Sequence, residues 1–238
     1  EGFAEALNMH TDAVAEIAGL LPGQRVLDIG CGIGAPAIRI AGGTGCSIVG
    51  INISSEQVKQ GRALVKKSGL CDLVELRKGN ALSMDFPEAS FDSVLCIEVA
   101  GDICVTPEQK GRLISEMHRV LKPGGSIGFS DLVFTGKPTR AEESSMRAIL
   151  YHDGSDLVTD WPELFADGGF EVVEKRDIIS ETMPMWTHSL AIYEERASDV
   201  RRRYGRRIAE KTMEHLRAIP GIMQKYGSFV LLSARKRA

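Results

Sequence analysis

The feature that most constrains the fold is a regular alternation of short apolar runs and capped amphipathic segments between residues 24 and 131. Short apolar runs favour buried strands, and amphipathic segments that begin with capping residues favour helices. Strands that alternate with helices predict a parallel sheet that is covered on both faces and joined by right-handed crossovers. We therefore expect an α/β fold with a Rossmann-like, doubly wound, mainly parallel seven-stranded sheet.

The ends of several elements are marked by residue type. Gly42 and Gly43 are expected to end the helix that follows the first strand. Capping boxes, each with a glutamine at the third helical position, predict two further helices with Ser54 and Thr106 as N-caps. Five strands are predicted in this part of the chain: residues 25–29, 47–51, 74–76, 93–97 and 126–130.

The second half of the chain follows a different pattern. Residues 139–168 and 187–219 are expected to be helical, with a strand at 170–174 between them and a closing strand at 228–233. These helical stretches carry many aromatic and Met side chains, Trp161 among them. Such a composition favours a helical cap over the carboxyl ends of the strands rather than a separate domain.

Composition argues against several classes of protein. Of the 238 residues, 43% are hydrophobic and 26% are charged, which is typical of a globular domain, and the net charge of -3 offers no general field for nucleic acid. No apolar stretch approaches the roughly 18 residues of a membrane span. No leader opens the chain, and the five cysteines lack C-x-x-C spacing. We expect a cytoplasmic protein with no metal site and no nucleic-acid partner.

The loop after the first strand has the sequence GCGIG at residues 30–34. Because glycine has no Cβ, the backbone of such a loop can approach a ligand closely. The G-x-G-x-G spacing differs from the dinucleotide fingerprint and from the phosphate-binding loop. In doubly wound sheets, ligands bind outside the carboxyl ends of the strands, where the strand order reverses. The loop therefore indicates a ligand site, with a simple tight turn as the alternative.

Three motifs in this order resemble those of class I S-adenosylmethionine-dependent methyltransferases. They lie at residues 26–34, 86–94 and 119–125. The resemblance covers about residues 11–135, and residues 45–62 are most similar to natural-product and sterol methyltransferases. It implies S-adenosyl-L-methionine as cofactor, S-adenosyl-L-homocysteine as product and a small-molecule substrate.

The resemblance also implies which residues bind the cofactor. The glycine loop would surround its methionine part, and Asp28 would face its ammonium group. Asn52, where most relatives carry an acidic residue, would hold the ribose hydroxyls with help from Gln57. Ile53 would pack on the adenine, and Asn80 would read its edge. The complete set is Asp28, Gly30, Cys31, Gly32, Gly34, Asn52, Ile53, Gln57, Asn80, Ala81 and Ile97.

On the acceptor side the resemblance implies Glu98, Asp102 and Asp131 as catalytic residues. Similar O-methyltransferases place a histidine base where this chain has Asp102. An aspartate, with an ordinary pKa of about 3.9, is a poorer base than a histidine, with about 6.5. Carboxylates can instead stabilise the cation that forms when an alkene is methylated. We therefore favour C-methylation of an olefinic isoprenoid, or N-methylation, over O-methylation of a natural-product hydroxyl.

Several alternatives stay open from sequence. Asp102 could be a loop residue outside the site, His152 could serve as the base, and His188 could touch the substrate. The arginines at 201–207 predict a basic helix that is a solvated face, a diphosphate contact or a subunit contact. The protein could also bind the cofactor without methyl transfer, as a cyclase or a regulatory subunit.

We expect one methyltransferase domain, residues 1–238, in three parts. These are a cofactor-binding half at 11–135, substrate cap helices with one strand at 136–227, and a closing strand at 228–235. A homo-oligomer is compatible with the sequence. Relatives carry a Gly-Tyr-Trp lid element after a segment that resembles residues 7–10. Here residue 10 runs directly into residues 11–14, so either the protein lacks this lid or the numbered sequence omits it.

Overall fold

The structure of the chain, a computed structural model, describes residues 2–136, 138–150 and 159–237. The strands are β1 (Arg25–Ile29), β2 (Ser47–Asn52), β3 (Val74–Lys78), β4 (Phe91–Ile97), β5 (Leu121–Phe134), β6 (Phe170–Asp177) and β7 (Gly227–Lys236). The helices are α1 (Gly2–Ile17), α2 (Ala35–Thr44), α3 (Ser55–Ser68), α4 (Ala100–Ile103), α5 (Pro107–Val120), α6 (Arg140–Leu150), α7 (Trp161–Asp167), α8 (Ile179–Glu195), α9 (Ala197–Tyr204) and α10 (Arg206–Tyr226).

The strands form one seven-stranded sheet in the order β3-β2-β1-β4-β5-β7-β6. β1 pairs in parallel with β2 on one side and with β4 on the other, and β2–β3 and β4–β5 are parallel as well. The chain therefore builds outward from β1 in both directions. The strand order reverses there, which places a ligand crevice at the carboxyl end of β1. The predicted fold class is confirmed.

An aromatic cluster fills the core beside β5. The ring of Phe129 lies 5.0 Å from Trp161 and 5.3 Å from Phe165, and Phe165 contacts Phe170 at 5.5 Å. Trp161 is only 1% exposed. Its indole packs on the sheet, where its large apolar surface is removed from water.

The helix ends agree with the capping pattern in two places and differ in one. Thr106 forms a complete capping box with Gln109, and the Ser54 hydroxyl accepts the Gln57 N–H. The expectation that Gly42 and Gly43 end α2 is wrong. The helix continues to Thr44 and ends at Gly45, whose φ of 74° is the left-handed conformation that favours glycine at this position.

Contacts within the chain divide it into two units. The first comprises Glu1–Asp131, Asp160–Arg176 and Leu231–Ala238, and the second comprises Leu132–Thr159 and Asp177–Val230. In the second unit α10 contacts α6, α8 and α9. Its buried cluster consists of Phe134, Ile219, Ile222 and Met223. The functional division at 11–135, 136–227 and 228–235 stays a prediction.

Three further expectations concern the second unit. His152 lies outside the described residues, and His188 is exposed on α8. The single basic helix predicted across 201–207 is wrong, because α9 ends at Gly205, whose φ of 84° and ψ of 157° are not helical. No helix in the described ranges is both long and apolar enough to cross a membrane.

Candidate active site

A cleft of about 540 Å³ lies in the first unit, where β1, β2, β3 and β4 end. Its walls are the loops that follow these four strands. The lining residues are Gly30, Gly32, Ile51, Asn52, Ile53, Gln57, Gly79, Asn80, Ala81, Leu82, Ile97, Glu98, Val99, Asp102 and Ile103.

The three loop glycines have positive φ, but they serve different purposes. A Cβ on Gly32 would meet no atom within 4 Å, so here the backbone itself faces the open cleft. A Cβ on Gly30 would lie 2.4 Å from the Val99 side chain. Gly34 is the N-cap of α2, packs against Leu76 and does not line the cleft. Only Gly32 leaves room for a ligand beside its Cα.

Asp28 is a buried carboxylate at the end of β1, next to the glycine loop. It is 2% exposed, and its Oδ2 has no hydrogen-bond partner among the described residues. Burial raises the pKa of this carboxyl to about 7. A buried anion without a partner is costly, so a cationic group of a ligand would stabilise it. Asp28 is not itself among the residues that line the cleft.

Cys31 is held in its neutral form. Burial, with a smaller contribution from the charge of Asp28, raises the pKa of its thiol to about 12. The thiol therefore has no nucleophilic role near neutral pH. Cys31 is buried within the loop and does not line the cleft.

The end of β2 presents a pair of amides. The Asn52 Nδ2 donates to the Gln57 Oε1 at 2.6 Å, and the Asn52 Oδ1 accepts the Ser54 N–H at 3.1 Å. Asn52 thereby orients Gln57, whose side-chain amide can still donate to a hydroxyl. Beside it, Ile53 is 71% exposed on the cleft wall and offers an apolar face to a flat ring.

The end of β3 supplies Asn80 and Ala81 to the same cleft. The Asn80 Oδ1 accepts the Leu82 N–H at 2.9 Å, and its main-chain carbonyl accepts the Ser83 N–H at 3.1 Å. These two bonds form a local turn that fixes the side chain. The amide nitrogen of Asn80 is then oriented as a donor.

Glu98 stands at the end of β4 in an unusual backbone conformation. Its φ is 51°, and its N–H donates to the Ser130 carbonyl at 2.8 Å. Its carboxylate Oε1 lies 2.9 Å from the Nδ1 of His10 on α1. A residue strained in this way persists only where its surroundings hold it, and such residues cluster at functional sites.

Asp102 and Asp131 occupy different positions. Asp102 is exposed on the cleft wall, whereas Asp131 is buried and does not line the cleft. The Asp131 Oδ2 accepts the Gly101 N–H at 2.6 Å. The Asp131 carboxylate therefore holds the start of α4, the short helix that carries Asp102.

Sequence analysis did not single out His10 as part of the site. No local pattern marks this residue, because its contact with Glu98 depends on how α1 packs in the folded chain. His10 itself does not line the cleft. The lining residues that were missed are adjacent in sequence to predicted ones: Ile51, Gly79, Leu82, Val99 and Ile103. Among the described residues, no group of three or more His, Cys, Asp or Glu could hold a metal ion.

Comparisons with known proteins point to the family of this chain. A family model described as a methyltransferase domain matches residues 26–125. The chain is 30% identical over 241 residues to the cycloartenol-C-24-methyltransferase of Arabidopsis thaliana, which covers 97% of this chain and 70% of that protein. It is 39% identical over 187 residues to the sterol 24-C-methyltransferase ERG6 of Saccharomyces cerevisiae. This match covers 75% of this chain and 47% of that protein.

Among solved structures, the crystal structure of the 4+2 cyclase SpnF is similar, with a TM-score of 0.76 and 27% identity. The match covers 97% of this chain and 81% of that one. The chain spans about half the length of several curated relatives, ERG6 included. The match to the Arabidopsis protein covers 70% of that protein, and the matched domain begins at β1 and includes the glycine loop. Both findings indicate the same family. The chain belongs to the class I S-adenosylmethionine-dependent methyltransferases.

Proposed function

We propose that this protein methylates a carbon–carbon double bond of an olefinic isoprenoid or sterol-type small molecule, with S-adenosyl-L-methionine as methyl donor. The observation that carries the proposal is the Glu98 carboxylate, held by His10 on the wall of the cleft at the end of β4. Two of the relatives described above, a sterol 24-C-methyltransferase and a cycloartenol-C-24-methyltransferase, support the substrate class.

Residues on the cleft wall and directly behind it fit this cofactor. The buried Asp28 oxygen without a partner suits the ammonium group, and the amide of Gln57 suits the ribose hydroxyls. The exposed face of Ile53 suits the adenine ring. When bound, the cofactor supplies an electrophilic methyl group on a sulfonium, and the breaking bond leaves its electron pair on sulfur.

The carboxylates provide what an alkene acceptor needs. The π electrons of the double bond form the new carbon–carbon bond, which leaves a positive charge on the neighbouring carbon. Glu98 stabilises this cation electrostatically, and Asp102 on the same cleft wall adds a second negative charge. Loss of a proton to the Glu98 carboxylate then restores a double bond in the methylated product.

His10 and Asp131 position these groups. His10 is 12% exposed in its side chain and fixes the orientation of the Glu98 carboxylate. Asp131 fixes the start of α4 through the Gly101 N–H. Holding reacting groups in place lowers the barrier by an amount that grows with the precision of the geometry.

We also propose a cytoplasmic location. The five cysteines are all free, and four of them are buried. Free thiols are typical of proteins in reducing compartments.

The reaction is tested with methyl-labelled S-adenosylmethionine and two acceptor classes, a sterol with a side-chain double bond and a prenyl diphosphate. We expect label in the product, with the methyl group on carbon when the product is fragmented by mass spectrometry. Methyl transfer only to nitrogen or oxygen of other acceptors would overturn the proposed chemistry.

One variant distinguishes a role of Glu98 in catalysis from a role in cofactor binding. Glu98→Gln removes the negative charge and the proton acceptor while keeping the side-chain size. We expect kcat to fall about 100-fold or more, while affinity for S-adenosyl-L-homocysteine changes less than about 3-fold.

The matched control is Glu75→Gln on β3. Glu75 is also a carboxylate paired with a basic side chain, Arg77 at 2.6 Å, but it does not line the cleft. Its kcat should stay within about 2-fold of the wild-type value. Equal losses in both variants would mean that Glu98 acts only through stability.

A second candidate function is a cyclisation without methyl transfer. The specific observation that favours it is the likeness to the 4+2 cyclase SpnF. A cyclase would consume a polyene substrate and release an isomer of the same mass. Incubation without S-adenosylmethionine, or with S-adenosyl-L-homocysteine in its place, would still give product in that case.

A further inference from the structure

The strongest positive surface that the proposed function does not use lies at the junction of α9 and α10. We name residues 201–211 the junction segment. It contains five arginines, one lysine and a single acidic residue, although the whole chain has a net charge of -3. Every residue of the segment except Ala209 is exposed.

Only part of this charge is neutralised within the protein. Arg202 pairs with Asp199, while Arg206 and Arg201 share Glu210 at 2.8 and 3.9 Å. In the described part of the chain, no carboxylate lies within salt-bridge distance of three cations of the segment. These cations are Arg203, Arg207 and Lys211.

Two large apolar side chains stand among these cations. Tyr204 is 53% exposed and Ile208 is 58% exposed. They flank Gly205, where α9 ends and α10 begins. The cations alone would suffice for a purely electrostatic contact with nucleic acid, so the exposed Ile and Tyr favour a partner that also has an apolar part. Exposed apolar side chains flanked by Arg and Lys are typical of segments that lie in a membrane interface.

We propose that the junction segment binds the surface of a lipid bilayer that contains anionic lipids. Its cations contact the charged headgroups, and Tyr204 and Ile208 enter the boundary between headgroups and acyl chains. The contact is peripheral and reversible. It brings the protein to the phase in which apolar isoprenoids dissolve, but it needs neither cofactor nor acceptor and is independent of the proposed reaction.

The test is co-sedimentation of the protein with vesicles of phosphatidylcholine alone and of phosphatidylcholine with 30% phosphatidylglycerol. We expect binding to the anionic vesicles that weakens as salt is raised, and little binding to the neutral ones. No binding to the anionic vesicles at low salt, or equal binding to both kinds, would overturn the proposal.

A charge variant identifies the surface. Arg203→Glu, Arg207→Glu and Lys211→Glu together should lower the partition coefficient about 100-fold or more, since each basic residue near an anionic surface contributes about fivefold. The control carries the same change in net charge at scattered exposed lysines, Lys59→Glu, Lys66→Glu and Lys175→Glu. Equal losses in the two variants would overturn the assignment to the junction segment.

An apolar variant separates a membrane from other polyanions. Tyr204→Ser with Ile208→Ser keeps all charges, so binding to heparin should stay the same while vesicle binding falls at least tenfold. Unchanged vesicle binding would show that the contact is only electrostatic and would overturn the proposed insertion. Because all substituted side chains are exposed, thermal unfolding should be close to that of the wild type in each variant.

Discussion

Gly30 and Gly32 share a left-handed backbone conformation but have opposite surroundings. Their φ values are 70° and 56°. The Cβ position of Gly30 is occupied by the Val99 side chain, whereas that of Gly32 is empty and opens into the cleft. Packing within the protein therefore requires glycine at the first position, whereas the second position borders open space that a ligand could fill.

Matched alanine variants test this difference. Each substitution places a Cβ in a left-handed conformation at a cost of about 1–2 kcal/mol. Gly30→Ala adds overlap with Val99, typically about 1–3 kcal/mol more, so it should be the less stable of the two in thermal unfolding. Gly32→Ala should stay folded but lose at least tenfold in affinity for S-adenosyl-L-homocysteine, measured by calorimetry. Wild-type affinity in Gly32→Ala would contradict the assignment of open space to the ligand.

Which site residues the sequence could predict depends on how local their surroundings are. Asn52, Asn80 and Glu98 were predicted from the family resemblance. The structure brings them into one cleft because the ends of parallel strands meet at one edge of a sheet. His10 could not be predicted, because its place beside Glu98 depends on how α1 packs. Gly34 was expected at the ligand, yet its surroundings are Leu76 and the start of α2.

At the scale of the element, α5 has the more complete of the two predicted caps. The Thr106 hydroxyl accepts the Gln109 N–H, and the Gln109 side chain accepts the Thr106 N–H in return. In α3 the second half of the box is replaced, because Gln57 accepts from Asn52 instead. The Gln57 side chain therefore bonds to Asn52 on the cleft wall and not to the N-cap backbone of α3.

Removal of the Thr106 hydroxyl should destabilise the protein measurably. Thr106→Ala leaves the Gln109 N–H without its acceptor, and we expect the free energy of unfolding to fall by about 1 kcal/mol in denaturant titrations. Thr106→Ser keeps the oxygen and should stay within a few tenths of a kcal/mol of the wild type. If both variants lose the same amount, the methyl group rather than the cap is responsible.

Element boundaries were predicted well where a side chain caps the element and less well at glycines. β1 has the predicted bounds, and α5 begins at the residue after its predicted cap. Gly42 and Gly43 look like a helix end, but α2 passes through them because a left-handed Gly45 is available beyond. Gly205 does end a helix. Its non-helical backbone dihedrals distinguish it from Gly42 and Gly43, which lie within α2.

At the scale of the whole molecule, Asp28 makes stability depend on pH. Its pKa is about 7 in the folded protein against 3.8 for the ordinary carboxyl. Because the folded-state pKa is raised, the stabilising contribution is complete below about pH 4 and is lost as the pH rises through 7. Burial of the charged form is the physical cause.

The variant Asp28→Asn keeps the shape and removes the titration. Relative to this variant, the wild-type free energy of unfolding should fall by about 2–3 kcal/mol between pH 5 and pH 8, measured by denaturant unfolding at each pH. A constant difference across this range would contradict the raised pKa.

The same variant also tests the role of the carboxylate toward the ligand. A bound ammonium group would favour the charged form of Asp28, so S-adenosylmethionine should bind with release of a proton near pH 7. Calorimetry in buffers of different ionisation enthalpy measures this proton. In Asp28→Asn the release should vanish and the affinity should fall.

Every described residue that lines the cleft comes from one stretch of chain, Gly30 to Ile103. The second unit is drawn from two other segments, residues 132–159 and 177–230, which begin near the ends of β5 and β6. Insertions, deletions or wholesale replacement in these segments need not alter a single cleft residue. In evolutionary terms, a gene of this layout can exchange about a third of its protein while the unit that carries the cleft is inherited unchanged.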